Sequence, residues 1–186
     1  MGGGQKFRYL VGGVPIVERV RGRLAPQVDE LIVSARRSGL EDLGMTVVFD
    51  AKPNDGPLAG IQAALAWAAA KYGPKSYLLT VSTDTPFVPR DLAARLMSRL
   101  KEAQAEIATT ASESGRHPTI SLWQAGLGAG LGSWMNEQTD RSIRGFIDTR
   151  SNTTVRFDGP IDPFFNVNTP ADLTTAEDLV RLNPNA

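Results

Sequence analysis

Apolar positions along the chain follow two alternating rhythms. Short, mostly apolar runs, ELIVSA at 30–35, MTVVFD at 45–50 and SYLLTVS at 76–82, read as strands, the last continuous enough to be buried on both faces. Between them lie longer stretches with helical spacing. At 90–103, Leu92, Leu96 and Leu100 fall at i, i+4 and i+8. The stretch DGPLAGIQAALAWAAAKYG places Pro57 where a helix begins, fills the interior with alanine, and stops at Gly73–Pro74. YLVGGVPI reads as two short extended pieces around Gly12 and Gly13, leading into a helix at 15–24. EIATTA, PTISLW and TTVRF predict further strands, and 127–136, 142–148 and a segment opening at Pro170 predict helices. Strands alternating with helices predict an α/β protein, a three-layer Rossmann-like domain whose mainly parallel sheet is flanked on both faces. Neither a repeat nor a linker composition interrupts residues 1–186, which read as a single domain.

Composition narrows what such a domain could do. Twenty basic residues balance twenty acidic ones, so nothing draws the chain in bulk to nucleic acid or an anionic membrane. With no cysteine, disulfides, thiolate metal sites and cysteine nucleophiles are excluded. A single histidine, His117, argues against a multi-histidine metal centre. No apolar run approaches the roughly 18 residues of a membrane span, and no secretory signal opens the chain. The expectation is a soluble cytoplasmic protein.

In open α/β sheets ligands bind at the carboxyl ends of strands, and four polar clusters fall there. FDAKPNDGPLAG runs from a strand ending in Asp50 to a helix start at Gly56–Pro57, where free N–H groups can meet a ligand's acceptors. A carboxylate at this point accepts from the N–H edge of a base such as guanine, or it simply caps the helix, as Asp50 or Asp55 could. STDTPFVP brings Asp84 out just beyond a buried strand, as a ligand for a hard cation such as Mg²⁺ or as a turn former. GRHPTISLW carries His117, by type either a structural hydrogen-bonder or a site residue. In FFNVNTPADL, Asn166 and Asn168 stand two apart and share one side of an extended segment, ahead of a helix start at Thr169–Pro170. Arg141 and Arg144 lie about one helical turn apart, on a solvated face or against an anion. At the front, MGGGQK has the makings of a phosphate loop, with glycine N–H groups and a lysine charge, though a flexible tail has the same composition.

Taken together, MGGGQK, DGPLAGI, STDTPFVP, HPTISL and FFNVNTPADL occur in the order and spacing of one family, and across nearly its whole length the chain resembles the molybdenum cofactor guanylyltransferases. Members transfer GMP from GTP to molybdopterin, so the resemblance implies that Lys6 and Asp84 are catalytic and that Asp84 holds Mg²⁺, the one cofactor expected. It implies nucleotide contacts from Gly3, Gly4, Lys6, Ser34, Asp50, Gly60 and Asp84, and molybdopterin contacts from Asn166, Asn168 and His117. It implies molybdenum-insertion proteins and molybdoenzyme chaperones as partners, with no nucleic acid or membrane among them. Two departures stand out. Ser34 lies near where the family carries an asparagine, and serine is shorter and lacks the amide. The family motif runs LAGG-x₃-RMGG-x₂-K after a mid-sheet strand, whereas this chain opens at the methionine inside that motif, so that strand and the LAGG half are expected to be absent. The alternatives are a sister enzyme using CTP, a sugar-phosphate nucleotidyltransferase, and a non-catalytic nucleotide- or pterin-binding protein.

Overall fold

The structure is a computed structural model that describes residues 6–35, 40, 43–50 and 56–183. After a single 3-10 turn at Lys6–Arg8 comes a small hairpin, β1 (Leu10–Val11) and β2 (Val14–Pro15), turned by Gly12 and Gly13 at φ 59° and 73°. Left-handed backbone of this kind is the province of glycine. Helix α1 (Ile16–Leu24) follows, then β3 (Ile32–Ala35), β4 (Thr46–Phe49), α2 (Pro57–Tyr72) and β5 (Tyr77–Thr80). The second half supplies α3 (Leu92–Glu102), β6 (Ile107–Ser112), β7 (Gly115–Gln124), α4 (Leu127–Glu137), α5 (Ile143–Ile147), β8 (Asn152–Arg156) and α6 (Pro170–Leu182).

The α/β class predicted from sequence is observed, and the strands pair in both senses. β3–β4 and β6–β8 are parallel, whereas β7 runs antiparallel to both β5 and β6, giving the order β5-β7-β6-β8. The antiparallel pairing has a local cause: β6 and β7 are joined by a tight turn with Gly115 at φ 117°, too short for a helical crossover.

Side chains on the sheet alternate between two cores. On one face Ala108, Ile120 and Leu122 meet α1, α3 and α6, where Leu92, Leu96 and Leu100 are buried as their spacing predicts. On the other face Leu78, Ile107 and Trp123 meet α2, α4 and α5, through Leu65, Leu131 and Phe146. This is the three-layer arrangement. No helix among the described residues is long and apolar enough to cross a membrane.

One break in the sheet bears on the site. Among the described residues β3 pairs only with β4, and β5 only with β7. The other edges of β3 and β5 border an apolar trough of about 410 Å³, walled by Leu31 and Val33 on one side, Leu79 and Val81 on the other, and Val20 and Leu24 of α1.

Candidate active site

Two groups of predicted residues assemble at the carboxyl ends of the strands. In the first, the Ser34 hydroxyl at the end of β3 donates to Asp50 Oδ1 at 3.0 Å. The Asp50 N–H donates to the Ala35 carbonyl at 3.2 Å, so the β3–β4 pairing runs one step past β4 and aims the carboxylate. Gly60, in the first turns of α2, closes the group. A Cβ at this position would stand 2.6 Å from Ser34 Oγ and 3.2 Å from Asp50 Oδ1, and only a hydrogen fits. Asp50 does not cap α2. The N-cap is Gly56 at φ 74°, and among the described residues no side chain caps the helix, whose N-terminal pole attracts an acceptor. Gly3, Gly4 and Asp55 lie outside the described residues.

The second group forms around Asp84. Lys6 Nζ donates to Asn168 Oδ1 at 3.3 Å, and the lysine charge acts on the Asp84 carboxylate. The Val167 N–H donates to the Asp84 carbonyl at 2.9 Å, stitching this turn to the 166–168 segment. Val167 is fully buried while Asn166 and Asn168 are exposed, so the two amides share one side as predicted. A capping box holds them in place. Thr169 Oγ1 accepts from the Asp172 N–H, and Asp172 Oδ2 accepts from the N–H groups of Asn168 and Thr169, at 3.0 and 2.7 Å. These bonds hold the Asp172 carboxyl below its ordinary range.

Beside the first group lies a pocket of about 220 Å³, with Ser34 and Gly60 on one wall and Thr80, Ser82, Thr119 and Ile143 on the others. Thr119 was not foreseen. Thr109 pairs with Ser121 but Thr110 pairs with His117, so 118–120 bulge from β7 without partners on β6. Thr110 Oγ1 donates to the Ile120 carbonyl at 3.0 Å and Ser121 Oγ to that of Pro118 at 2.9 Å, which pins the bulge and turns Thr119 into the pocket. Pro118, which cannot donate to a ladder, was the available signal.

His117 stands at the base of that bulge, half-buried, its ring 4.8 Å from that of Phe164. Arg144 pairs with Asp148 at 3.5 Å and is largely exposed, the solvated-face alternative.

The residues fit a hard cation at Asp84. Its Oδ1 is buried and has no hydrogen-bond partner, and burial raises the carboxyl above its ordinary range, partly offset by its own backbone amide and by Lys6. Among the described residues no group of three or more His, Cys, Asp or Glu could hold a metal, so Asp84 would contribute one ligand. That suits Mg²⁺, which keeps several waters and is commonly held by one or two carboxylates plus substrate phosphates.

Comparison with known proteins agrees with the fold. Residues 1–153 match the family model of the MobA-like NTP transferase domain. The chain is 39% identical over 187 residues to a molybdenum cofactor guanylyltransferase of Nitrobacter hamburgensis, covering 98% of this chain and 90% of the relative. A guanylyltransferase of the same name from Rhizobium leguminosarum is 40% identical, covering 94% and 85%. In three dimensions the chain superposes on the molybdopterin-guanine dinucleotide biosynthesis protein A of Archaeoglobus fulgidus with a TM-score of 0.77 at 20% identity, covering 97% of this chain and 92% of that one.

Proposed function

This chain belongs to the MobA-like NTP transferase family, and from that premise we propose that it transfers GMP from GTP to molybdopterin, releasing pyrophosphate. The observation that carries the reading is near-full-length similarity to named guanylyltransferases, joined to the convergence of Lys6, Asp84 and Asn168 at one strand end. A terminal phosphate oxygen of molybdopterin forms the new bond to the α-phosphorus of GTP, and the bond from that phosphorus to the bridging oxygen of the β-phosphate breaks. A phosphate monoester has its second pKa near ~6, so the attacking oxygen is largely ionised at neutral pH and needs no strong base. The work left to the protein is positioning and charge neutralisation.

Each group of residues then has its part. Ser34, Asp50 and Gly60 receive the nucleotide, with Asp50 accepting from the guanine N–H edge and the N-terminal pole of α2 nearby. Gly3, Gly4 and Lys6 hold phosphate oxygens, and Lys6 offsets charge that builds on the leaving pyrophosphate. Asp84 holds Mg²⁺. That ion, when bound, would supply a Lewis acid that offsets phosphate charge. Asn166 and Asn168 orient the pterin, and Lys6, bonded to Asn168, ties the two substrates' sites together.

Radiolabelled nucleotide and molybdopterin test the reading directly. GTP with Mg²⁺ should yield the guanine dinucleotide and raise the melting temperature more than CTP or ATP at equal concentration, because a ligand stabilises the state that binds it. Equal transfer from CTP, or equal protection by it, would remove the guanine assignment.

A further inference from the structure

The hydrogen bonds around His117 permit one arrangement of protons. Burial opposes ionising Asp162, but hydrogen bonds from the Ser114 hydroxyl at 2.6 Å, the Phe164 N–H at 3.0 Å and the Ser112 hydroxyl outweigh it and hold the carboxyl below its ordinary range, so it is ionised near neutral pH. An ionised carboxylate only accepts, so the single Ser114 hydroxyl proton is committed to it. Ser112 Oγ lies 2.9 Å from Ser114 Oγ, and with the Ser114 proton given to Asp162 the Ser112 hydroxyl points toward Ser114 and Asp162 rather than toward the histidine. Ser112 therefore has no proton left for His117, whose Nε2 lies 2.8 Å from the Ser112 oxygen. Nε2 must be the donor. Partial burial lowers the imidazole pKa, with the Asp162 charge opposing, so the ring carries one proton near neutral pH.

The other nitrogen is then a lone-pair acceptor. Nδ1 takes no hydrogen bond from the described residues, which leaves its lone pair available. Its ring is held against Phe164, which also packs on Phe157 and stands two residues before Asn166. We propose that the chain His117 → Ser112 → Ser114 → Asp162 locks the histidine as its Nε2–H tautomer, and that Nδ1 accepts a hydrogen bond from a ring or amino N–H of the acceptor pterin. This deepens the function proposed above and rests on it. Asn166 and Asn168 offer both donors and acceptors, whereas Nδ1 can only accept, and it therefore selects an acceptor substrate that presents an N–H at this point.

The chain has one histidine, so its imidazole nitrogens give a single pair of ¹⁵N signals. In the free protein at pH 7 we expect one protonated nitrogen, identified as Nε2 by its couplings to both ring carbon protons, and one bare Nδ1. Asp162→Asn, whose amide can donate, should mix or reverse the tautomer. Molybdopterin added anaerobically should shift the Nδ1 signal upfield, as hydrogen bonding to a bare ring nitrogen does, while GTP alone should not. An Nδ1–H tautomer in the free protein would overturn the proposal. So would pterin binding, read by pterin fluorescence, that leaves Nδ1 unmoved, and this outcome spares the function. If molybdopterin does not bind at all, the proposed function falls and takes this inference with it.

Discussion

Replacing Gly60 by alanine tests how the nucleotide end of the site is built. In an open helix the change would stabilise by about 1 kcal/mol, because alanine is the better helix former. Here the new Cβ would lie 2.6 Å from Ser34 Oγ and 3.2 Å from Asp50 Oδ1. Two responses are available. The hydroxyl can rotate away and abandon its 3.0 Å bond to Asp50, costing roughly 1 kcal/mol for a bond at a partly solvated site. Otherwise the helix stays overpacked, at about 1–3 kcal/mol. Set against the gain in propensity, the net runs from about zero, if the hydroxyl rotates, to a loss of about 2 kcal/mol, if the helix stays overpacked, which would lower the melting temperature of a domain of this size by up to ~4–8 °C. Ser34→Ala removes the offending oxygen and leaves its Cβ at an ordinary 3.6 Å. In that background Gly60→Ala should become neutral or stabilising, a coupling of about 1–2 kcal/mol in a double-mutant cycle followed by urea unfolding. GTP affinity should fall in the single Gly60 variant, since either response moves Ser34 or Asp50. Additive effects, or a Gly60→Ala protein that is by itself more stable and binds GTP normally, would refute the close packing.

Two further outcomes follow from the same geometry. Burial raises the Asp84 carboxyl, so ionising it works against folding as pH rises from the ordinary carboxylate range through the raised folded value; Asp84→Asn should therefore be at least as stable as the parent at pH 7 while losing Mg²⁺-dependent GMP transfer, and transfer within a few-fold of the parent would make Asp84 a turn residue. Thr169→Ala breaks the capping box and should cost ~1 kcal/mol in urea unfolding and raise the KM for the pterin more than that for GTP, whereas unaltered stability would mean that Asp172 alone holds the Asn168 turn.

What the sequence disclosed, it disclosed through rules that act over a few residues. The leucines at 92, 96 and 100 stand on one stripe because a helix repeats every 3.6 residues, and all are buried. Thr169, Pro170 and Asp172 form the helix start that their types predict. Asn166 and Asn168 share a side because an extended chain repeats every two. The meeting of Ser34, Asp50 and Gly60 is of another kind. Each lies at the end of a different element, and only the pairing of β3 with β4 under α2 brings Ser34 within 3.0 Å of Asp50 and sets both where a Cβ on Gly60 would fall. Family resemblance named them, but it gave no reason why Gly60 must lack a side chain or why a serine suffices at 34. The serine hydroxyl reaches the Asp50 carboxylate, a donor that an asparagine amide would otherwise supply.

The bulge at 118–120 and the serines at 112 and 114 mark where local reading stops for a physical reason. A strand that reads as HPTISLW looks regular, yet proline breaks its ladder and two hydroxyls, from Thr110 and Ser121, recapture the carbonyls set free. The same break places Thr119 in the pocket and His117 against Phe164. One missing N–H thus helps to aim two side chains at the site. Neither Ser112 nor Ser114 belongs to a recognisable motif, because their task is only to pass hydrogen bonds toward Asp162, a residue 48 positions beyond Ser114 in the chain. Such a relay is invisible until the turn at Gly115 folds β7 back along β6 and the 162–168 segment closes over it. The acceptor side of the site is therefore set by tertiary pairing, while the cap at Thr169 and the Asp84 turn are set locally.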